Sequence, residues 1–219
     1  MLDCQCIRIN LGGVTNGTRE SLIRAGEELF AEHGATGVSA REIVRLAGVG
    51  NASALQYHFG DRDGLLKAVL EQHDAEIDRR RHGMLDQIDG GSDLRALVEA
   101  LVVPLAEELS TAPGRRYLRI AAEVVNRPGY RIEPATVDPA SSMMRWRTLI
   151  EPMLDPAAVE LHRRFVALRF ASVELGRRAA ESGRLGHDAF VSQLIDLVVA
   201  LLACPVSAET HSRLRAASA

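Results

Sequence analysis

The amino-acid sequence predicts an all-α protein with about nine helices. Ala, Leu, Val, Glu and Arg dominate the composition, aromatic residues make up only 4% of it, and long stretches contain no strand-like run of β-branched residues. Such a composition favours helix over strand. A hydrophobic share of 47% in 219 residues suffices for a sizeable core, in one large domain or two small ones.

Charge and cysteine content narrow the class of protein further. The net charge of −3 gives no overall attraction to nucleic acid, so DNA binding would require a local basic patch. The three cysteines, Cys4, Cys6 and Cys204, are odd in number and we expect no cleavable signal before them, which predicts a cytoplasmic protein without disulfides. The longest apolar run, from Leu197 to Cys204, is too short to span a bilayer, so we expect no membrane partner.

The sequence carries no motif of a known catalytic or metal centre. HExxH, P-loop, GxSxG and CxxC patterns are missing, so we expect no enzyme activity, no cofactor and no metal ion. His73, Asp74 and Asp78 have the spacing of ligands on one helix but lack a further ligand, and we expect them to face water. Arg79 to Arg81 are expected on a solvated helix face, with DNA or an acidic partner as the alternative contact.

The first helix is expected to follow a flexible arm. Residues 1–17 lack helical periodicity, which is typical of a mobile terminus. Thr18 is suited to cap the first helix, and Gly34 and Gly37 predict its end at His33. One stripe of this helix is apolar or small and is expected to be buried: Leu22, Gly26, Leu29 and Phe30.

Two short helices follow, separated by a glycine turn. Ser39 and Glu42 form a capping box, in which each side chain bonds the other residue's backbone N–H, and this predicts a second helix from Ala40. Gly48 to Gly50 end that helix after about two turns. Asn51 is suited to cap a short third helix that continues through Gln56.

Longer helices are predicted for the rest of the chain. Asp61 is suited to cap the fourth, which Gly90 and Gly91 end. Prolines and glycines mark the boundaries of about five more. We expect these over residues 92–110, 113–127, 139–154, 156–184 and 187–203. Pro104 falls inside the first of them and is expected to kink it.

The last two helices carry apolar surface that predicts a homodimer. In the helix over 156–184, the residues Leu161, Phe165, Leu168, Ser172, Leu175 and Ala179 alternate in spacings of four and three, a heptad-like seam. The final helix is apolar over more than one face, and a twofold-related copy would cover it. The expected interface includes Leu161, Leu168, Leu175, Phe190, Leu194, Leu197 and Leu201.

Three segments follow one another in the first third of the chain. They are "TRESLIRAGEELFAEHG" at 18–34, "VSAREIVRLAGV" at 38–49, and "YHF" with "DRDGLL" at 57–66. In helix order, caps and the register of the YHF segment, the chain resembles the amino-terminal domain of the TetR family of transcriptional regulators. The resemblance implies a helix-turn-helix DNA-binding domain of three helices at the amino terminus, and a helical ligand-binding and dimerisation domain after it.

The resemblance also implies which residues contact double-stranded DNA. The third helix would enter the major groove, and the starts of neighbouring helices would hold phosphates. Amide and hydroxyl side chains suit base edges, while helix N-termini attract anions. The implied base contacts are Asn51, Ser53 and Gln56, and the implied backbone contacts are Thr18, Arg19, Ser39, Arg41, Tyr57, His58, Arg62 and Lys67.

One departure from the family pattern lies in the turn. Between Val49 and Phe59 the chain carries one residue more than the usual family spacing, with Gly50 as the extra residue. The longer turn leaves open which of Asn51, Ser53 and Gln56 meets a base. Phe59 itself is expected in the core.

The domain boundaries implied are an arm over 1–17, a DNA-binding domain over 18–64, a ligand-binding and dimerisation domain over 65–205 and a tail over 206–219. The second domain would enclose a mostly apolar pocket. Its expected residues are Tyr117, Glu123, Met143, Trp146, Arg147, His162, Phe165 and Arg169.

The family resemblance thus implies a homodimeric repressor that binds a palindromic operator and answers a small-molecule effector. Two alternatives remain. An architectural DNA-binding dimer without an effector would have a solid second core. A helical carrier or enzyme would use the histidines and buried polar groups, although no motif supports it.

Overall fold

The computed structural model describes residues 11–51, 53–88, 93–127, 138–181 and 186–217. Within these ranges the chain forms eleven α-helices and no strand, which confirms the all-α prediction. The predictions that involve Cys4, Cys6, Gly90 and Gly91 lie outside the described residues.

Two compact units make up the chain, Met1–Glu71 and Gln72–Ala219. The first contains α1 (Leu11–His33), α2 (Ala40–Leu46), α3 (Ala54–Phe59) and the start of α4 (Arg62–Asp86). The second contains the rest of α4 and then α5 (Leu94–Ala106), α6 (Ala112–Val125), α7 (Ser142–Ile150), α8 (Pro156–Glu160), α9 (Arg163–Ala180), α10 (His187–Ala203) and α11 (Ala208–Ala217). The units therefore divide inside α4, whereas the sequence placed the boundary at residue 64. Much of the expected tail forms α11.

The start of α1 differs from the prediction. The helix begins at Leu11, so Thr18 lies inside it and is not its N-cap. Only residues 1–10 of the expected arm lie outside the described residues. No proline interrupts residues 11–17, and extending an existing helix fixes one residue per added hydrogen bond, so even weak helix formers can join it.

The core of the first unit forms around one face of α1. Phe30 is 1% exposed, and Leu65 of α4 is fully buried. Gly26 makes room for Leu65, because a Cβ on this glycine would lie 2.9 Å from Leu65 Cδ2. The apolar stripe predicted for the first helix is thus the face that packs in the core.

Small residues bring α6 and α9 together in the second unit. Ala167, Ala171 and Gly176 of α9 are buried, and α9 packs against α6, while α10 packs against α5 and α9. Leu118 and Ile120 of α6 expose no more than 2% of their surface. This packing forms the main core of the unit.

The prediction of one long helix over residues 156–184 is wrong. The chain forms α8 and α9 instead, with a break at Leu161 and His162. His162 has a φ of 54°, which is left-handed backbone that a right-handed helix cannot include. The α5 helix, by contrast, continues past Pro104 and is followed by a 3-10 turn over Glu107–Ser110.

Among the described residues, no single helix has both the length and the apolar character to span a membrane, although α10 and α11 together, bent by 58°, pass on length and composition alone.

Candidate functional site

The predicted capping box at the start of α2 is confirmed. The Ser39 backbone N–H donates to Glu42 Oε2 at 2.8 Å, and the Ser39 hydroxyl donates to the same oxygen at 2.7 Å. The Glu42 N–H donates in return to Ser39 Oγ at 3.3 Å. These bonds from the Ser39 side chain and backbone lower the pKa of the exposed Glu42 carboxyl. A carboxylate therefore occupies the N-terminus of α2, where the family resemblance placed a phosphate.

The turn before α3 is organised by Asn51. Its side-chain oxygen accepts from the Ser53 backbone N–H at 2.9 Å, and its carbonyl oxygen accepts from the Ala54 N–H at 3.0 Å. Gly48 has a φ of 66°, which suits glycine. Asn51 thus closes the turn that leads into α3, and it is not the N-cap of that helix as expected, because α3 begins at Ala54 directly after Ser53.

The short α3 helix has a buried face and an exposed polar face. Ala54 and Leu55 are only 6% and 4% exposed and anchor the helix to the core. Gln56 and Ser53 are exposed, and Tyr57 is 79% exposed. The chain therefore presents an amide, a hydroxyl and a phenol outward from a supported helix, which is the surface that base and backbone contacts require.

The end of α3 contacts α1 through an aromatic ring. Phe59 is half-buried, so the expectation of a core position holds only in part. The Arg19 guanidinium lies 5.4 Å from the centre of the Phe59 ring, a cation–π distance. His58 is half-buried, and its ring meets the Tyr57 ring edge-on at 5.0 Å. The Phe59 ring thus holds the Arg19 guanidinium beside the end of α3.

The remaining cationic candidates differ in their surroundings. Arg41, in the first turn of α2, is exposed. Lys67 is also exposed, and its Nζ lies 3.6 Å from Glu71 Oε1. Arg62 is instead bonded to backbone carbonyls of the first unit. Thr18 is half-buried inside α1.

Two of the expected pocket residues are core residues with satisfied polar atoms. Tyr117 is 5% exposed, its hydroxyl donates to Asp74 Oδ1 at 2.9 Å, and burial followed by the Asp74 charge raises the pKa of this phenol well above its usual value. Trp146 is 2% exposed, and its Nε1 donates to the Leu97 carbonyl oxygen at 2.8 Å. Both side chains stabilise the helices that they join.

The other expected pocket residues are more accessible. Glu123, Met143 and Arg147 are half-buried, and His162 is exposed in the break before α9. Phe165 and Arg169 are half-buried as well, with the guanidinium 5.4 Å from the ring centre. The structure thus pairs Phe165 with Arg169 and places Tyr117 against α4.

Three polar residues of α4, His73, Asp74 and Asp78, make hydrogen bonds that were not predicted from the sequence. His73 Nδ1 lies 2.6 Å from Glu108 Oε2, and the His73 ring stacks on Tyr117 at 4.8 Å. Asp78 Oδ1 accepts from both the backbone N–H and the hydroxyl of Ser142, at 2.8 and 2.7 Å. His73, Asp74 and Asp78 therefore bond to separate partners and do not all face water as expected. Within the described ranges, no group of His, Cys, Asp and Glu side chains is placed to hold a metal ion.

Arg81 corrects the prediction of a solvated arginine face. It is 4% exposed, its Nε donates to the Ala100 carbonyl oxygen at 3.2 Å, and one terminal nitrogen donates to Ser142 Oγ at 3.1 Å. Burial lowers its pKa. Three consecutive arginines on a helix cannot all face one side, because successive residues are about 100° apart, and the third points inward.

The expected interface residues separate into two groups. Leu175 is fully buried and Leu194 is 2% exposed, so both are core residues of one protomer and the expectation that they contact a second copy is corrected. Leu161 and Leu197 are 40% and 46% exposed. The remaining three are half-buried: Leu168, Phe190 and Leu201.

Comparison with known proteins identifies the first unit. Residues 22–69 match the family model described as bacterial regulatory proteins, tetR family. These residues span the end of the first helix, the capping box, α3 and the start of α4. No curated protein matches the chain.

Solved structures share the fold. NalD of Pseudomonas aeruginosa is 21% identical, with 88% of this chain and 100% of that chain covered and a TM-score of 0.50. A TetR-family transcriptional regulator from Rhodococcus sp. is 21% identical, with 83% of this chain and 98% of that one covered and a TM-score of 0.51. The first unit therefore resembles the DNA-binding domain of the TetR family over residues 22–69, and the chain as a whole shares the fold of these solved structures.

Proposed function

We propose that this protein is a transcriptional repressor that binds a palindromic operator as a homodimer and releases it when a small molecule occupies its second unit. The exposed polar face of α3 carries the proposal, because it lies in the segment that matches the family and rests on the buried Ala54 and Leu55. NalD is described as the secondary repressor of a multidrug efflux pump, which supports repression as the sign of regulation.

In the proposed complex, α3 enters the major groove. Gln56 is the main base contact, since its amide can bond adenine through both of its polar atoms, and Ser53 offers a smaller one. Tyr57 and His58 contact the sugar-phosphate backbone. Arg19, Arg41 and Lys67 supply positive charge for phosphates. Ser39 orients α2 through its bonds to Glu42, and the half-buried Thr18 of α1 offers a hydroxyl to the DNA backbone.

The proposed dimer interface involves the apolar residues that one protomer leaves accessible on α8 to α10, namely Leu161, Leu168, Phe190, Leu197 and Leu201. Replacing Leu197 with Glu should shift the protein to monomers in analytical ultracentrifugation. Its matched control is Ser192→Glu on the same helix, at a position that is already exposed and polar. An undisturbed dimer of the Leu197 variant would contradict this interface.

The proposed effector site is in the second unit, with the half-buried Met143 and Phe165 as apolar contacts and Arg147 or Arg169 as polar ones. Ligand binding would favour a separation of the two α3 helices that no longer fits successive major grooves, so that DNA is released by a shift in population. We place this activity in the cytoplasm.

The experiment is selection of bound fragments from the genome that encodes this chain, followed by gel shifts on the selected sequence. Gln56→Ala should lose discrimination at one base pair of each half-site, roughly 1–3 kcal/mol. Gln72→Ala is the matched control, an exposed glutamine on α4 in the other unit, and should bind as the wild type does. Wild-type protein that selects no DNA would overturn the proposed function.

A further inference from the structure

Arg62, the first residue of α4, makes three hydrogen bonds within the first unit. One terminal nitrogen donates to the carbonyl oxygens of Thr36 and Val38, at 3.2 and 3.4 Å, across 26 and 24 residues of sequence. The other donates to Asp63 Oδ1 at 3.0 Å. Both carbonyls belong to the turn that joins α1 to α2. The guanidinium thus connects the start of α4 to the segment that leads into α2.

That turn determines how α2 is presented. Val38 is 3% exposed, so its side chain fixes one side of the turn in the core, and Ser39 follows as the cap of α2. Gly34, at the other end, has a φ of 78°, and its carbonyl oxygen accepts from the Gly37 N–H at 3.2 Å. With these anchors, the bonds from Arg62 limit the remaining freedom of the backbone at 36–38.

The electrostatics around Arg62 do not favour a phosphate. Asp63 Oδ1 accepts a hydrogen bond from one terminal nitrogen of Arg62, and Asp61 Oδ1 accepts from the Gly64 N–H at 2.7 Å. The N-terminus of α4 therefore already carries a carboxylate cap. Two acidic side chains flank the single guanidinium, so an approaching phosphate would meet like charge.

We infer that Arg62 is a positioning residue of the DNA-binding surface, which holds the α1–α2 turn against α4 and so fixes the presentation of α2, and that it is not a phosphate contact. The inference rests on the proposed function for its link to DNA. The positioning role of Arg62 itself rests on its hydrogen bonds within the first unit.

Salt dependence separates the two roles, because each lost phosphate contact reduces the slope of log affinity against log salt by about 0.9. Arg62→Ala should weaken binding to every operator variant by about tenfold, the equivalent of one charged hydrogen bond, with the slope of the wild type. The matched control, Arg41→Ala in the first turn of α2, should reduce the slope by about 0.9.

A second variant covers the case in which Arg62→Ala does not fold. Arg62→Lys keeps the charge but has one nitrogen in place of the planar fork, so it should fold with a lower melting temperature and recover only part of the lost affinity. Amide hydrogen exchange at Gly37 and Ser39 should be faster in this variant than in the wild type.

Two results would overturn the inference. One is an Arg62→Ala protein with wild-type melting and a slope reduced as in Arg41→Ala. The other is an Arg62→Lys protein with wild-type affinity, melting and exchange. Wild-type protein that binds no DNA would overturn the proposed function instead, while the melting and exchange data would still decide whether Arg62 holds the turn.

Discussion

Gly176 on α9 lies directly against Ala122 on α6: a Cβ on this glycine would stand 2.4 Å from the Ala122 Cβ and 3.0 Å from the Leu118 carbonyl oxygen. One of these neighbours is backbone and cannot rotate away. Gly176→Ala should therefore force the two helices apart and lower the free energy of unfolding by about 1–3 kcal/mol, the usual cost of overpacking. Urea unfolding followed by circular dichroism measures this change.

Gly83 provides the matched control for that substitution. It also lies inside a helix, but a Cβ there would meet no atom within 4 Å. Gly83→Ala should stabilise the protein by roughly 0.5–1 kcal/mol, because alanine is the better helix former and restricts the unfolded chain. Equal effects of the two variants would show that the contact between α6 and α9 is not close.

Acid should loosen the start of α2. The hydroxyl and N–H of Ser39 lower the pKa of Glu42 below its ordinary value of 4.5, so the folded protein favours the carboxylate. A lowered pKa contributes stability that is present above the ordinary value and is lost as pH falls through the lowered one. Carboxyl NMR titration should give Glu42 a pKa below 4.5, and Ser39→Ala should move it back up.

Glu76, whose pKa is lowered by its hydrogen bonds from Arg79 and Arg80 on α4, serves as the reference carboxyl in the same titration, and Ser39→Ala should leave its pKa unchanged. A pKa of Glu42 that does not respond to Ser39→Ala would contradict the capping geometry in solution.

The Tyr117 phenol should stay protonated when the folded protein is brought to alkaline pH. Burial and the neighbouring Asp74 raise the pKa of Tyr117 well above 10.0. The stability that this group contributes is complete below the ordinary value and is lost as pH rises through the raised one. In a rapid pH jump, Tyr117→Phe should therefore leave the phenolate absorbance of the folded protein as it is in the wild type. A loss of phenolate absorbance in this variant would mean that the Tyr117 phenol is accessible.

Replacing Asn51 with Ala should weaken binding to all operator variants to a similar extent. The Asn51 side-chain oxygen accepts from the Ser53 N–H, so Asn51→Ala removes one hydrogen bond of the turn before α3 and should cost about 0.5–1.5 kcal/mol of stability. Asn51→Asp keeps the acceptor and should melt like the wild type. Gel shifts on operator variants should show Asn51→Ala weakening all of them. A loss confined to one base pair would identify Asn51 as a base contact.

Local features of the fold were predictable from the sequence. The capping box of Ser39 and Glu42 needs partners only three residues apart, and Asp61 bonds Gly64 over the same span. Such contacts depend on the order of residues alone, so the starts of α2 and α4 followed from the residue types.

Contacts between distant segments were not predictable in this way. Periodicity marked Leu175 as apolar but could not tell a protomer's own core from a partner's surface, and the structure buries it completely. Arg62 bonds carbonyls in the α1–α2 turn, and any residue type supplies a carbonyl. The break at Leu161 and His162 contains no glycine or proline that would predict it from the sequence, and His162 itself adopts the left-handed backbone.

The buried Trp146 gives the protein an intrinsic optical reporter. It is the only tryptophan of the chain, it belongs to the second unit, and its indole is bonded to the Leu97 carbonyl oxygen. Its emission therefore reports on the packing of α5 and α7 in the second unit. A change in that emission on adding operator DNA would measure communication between the two units, without any label attached to either.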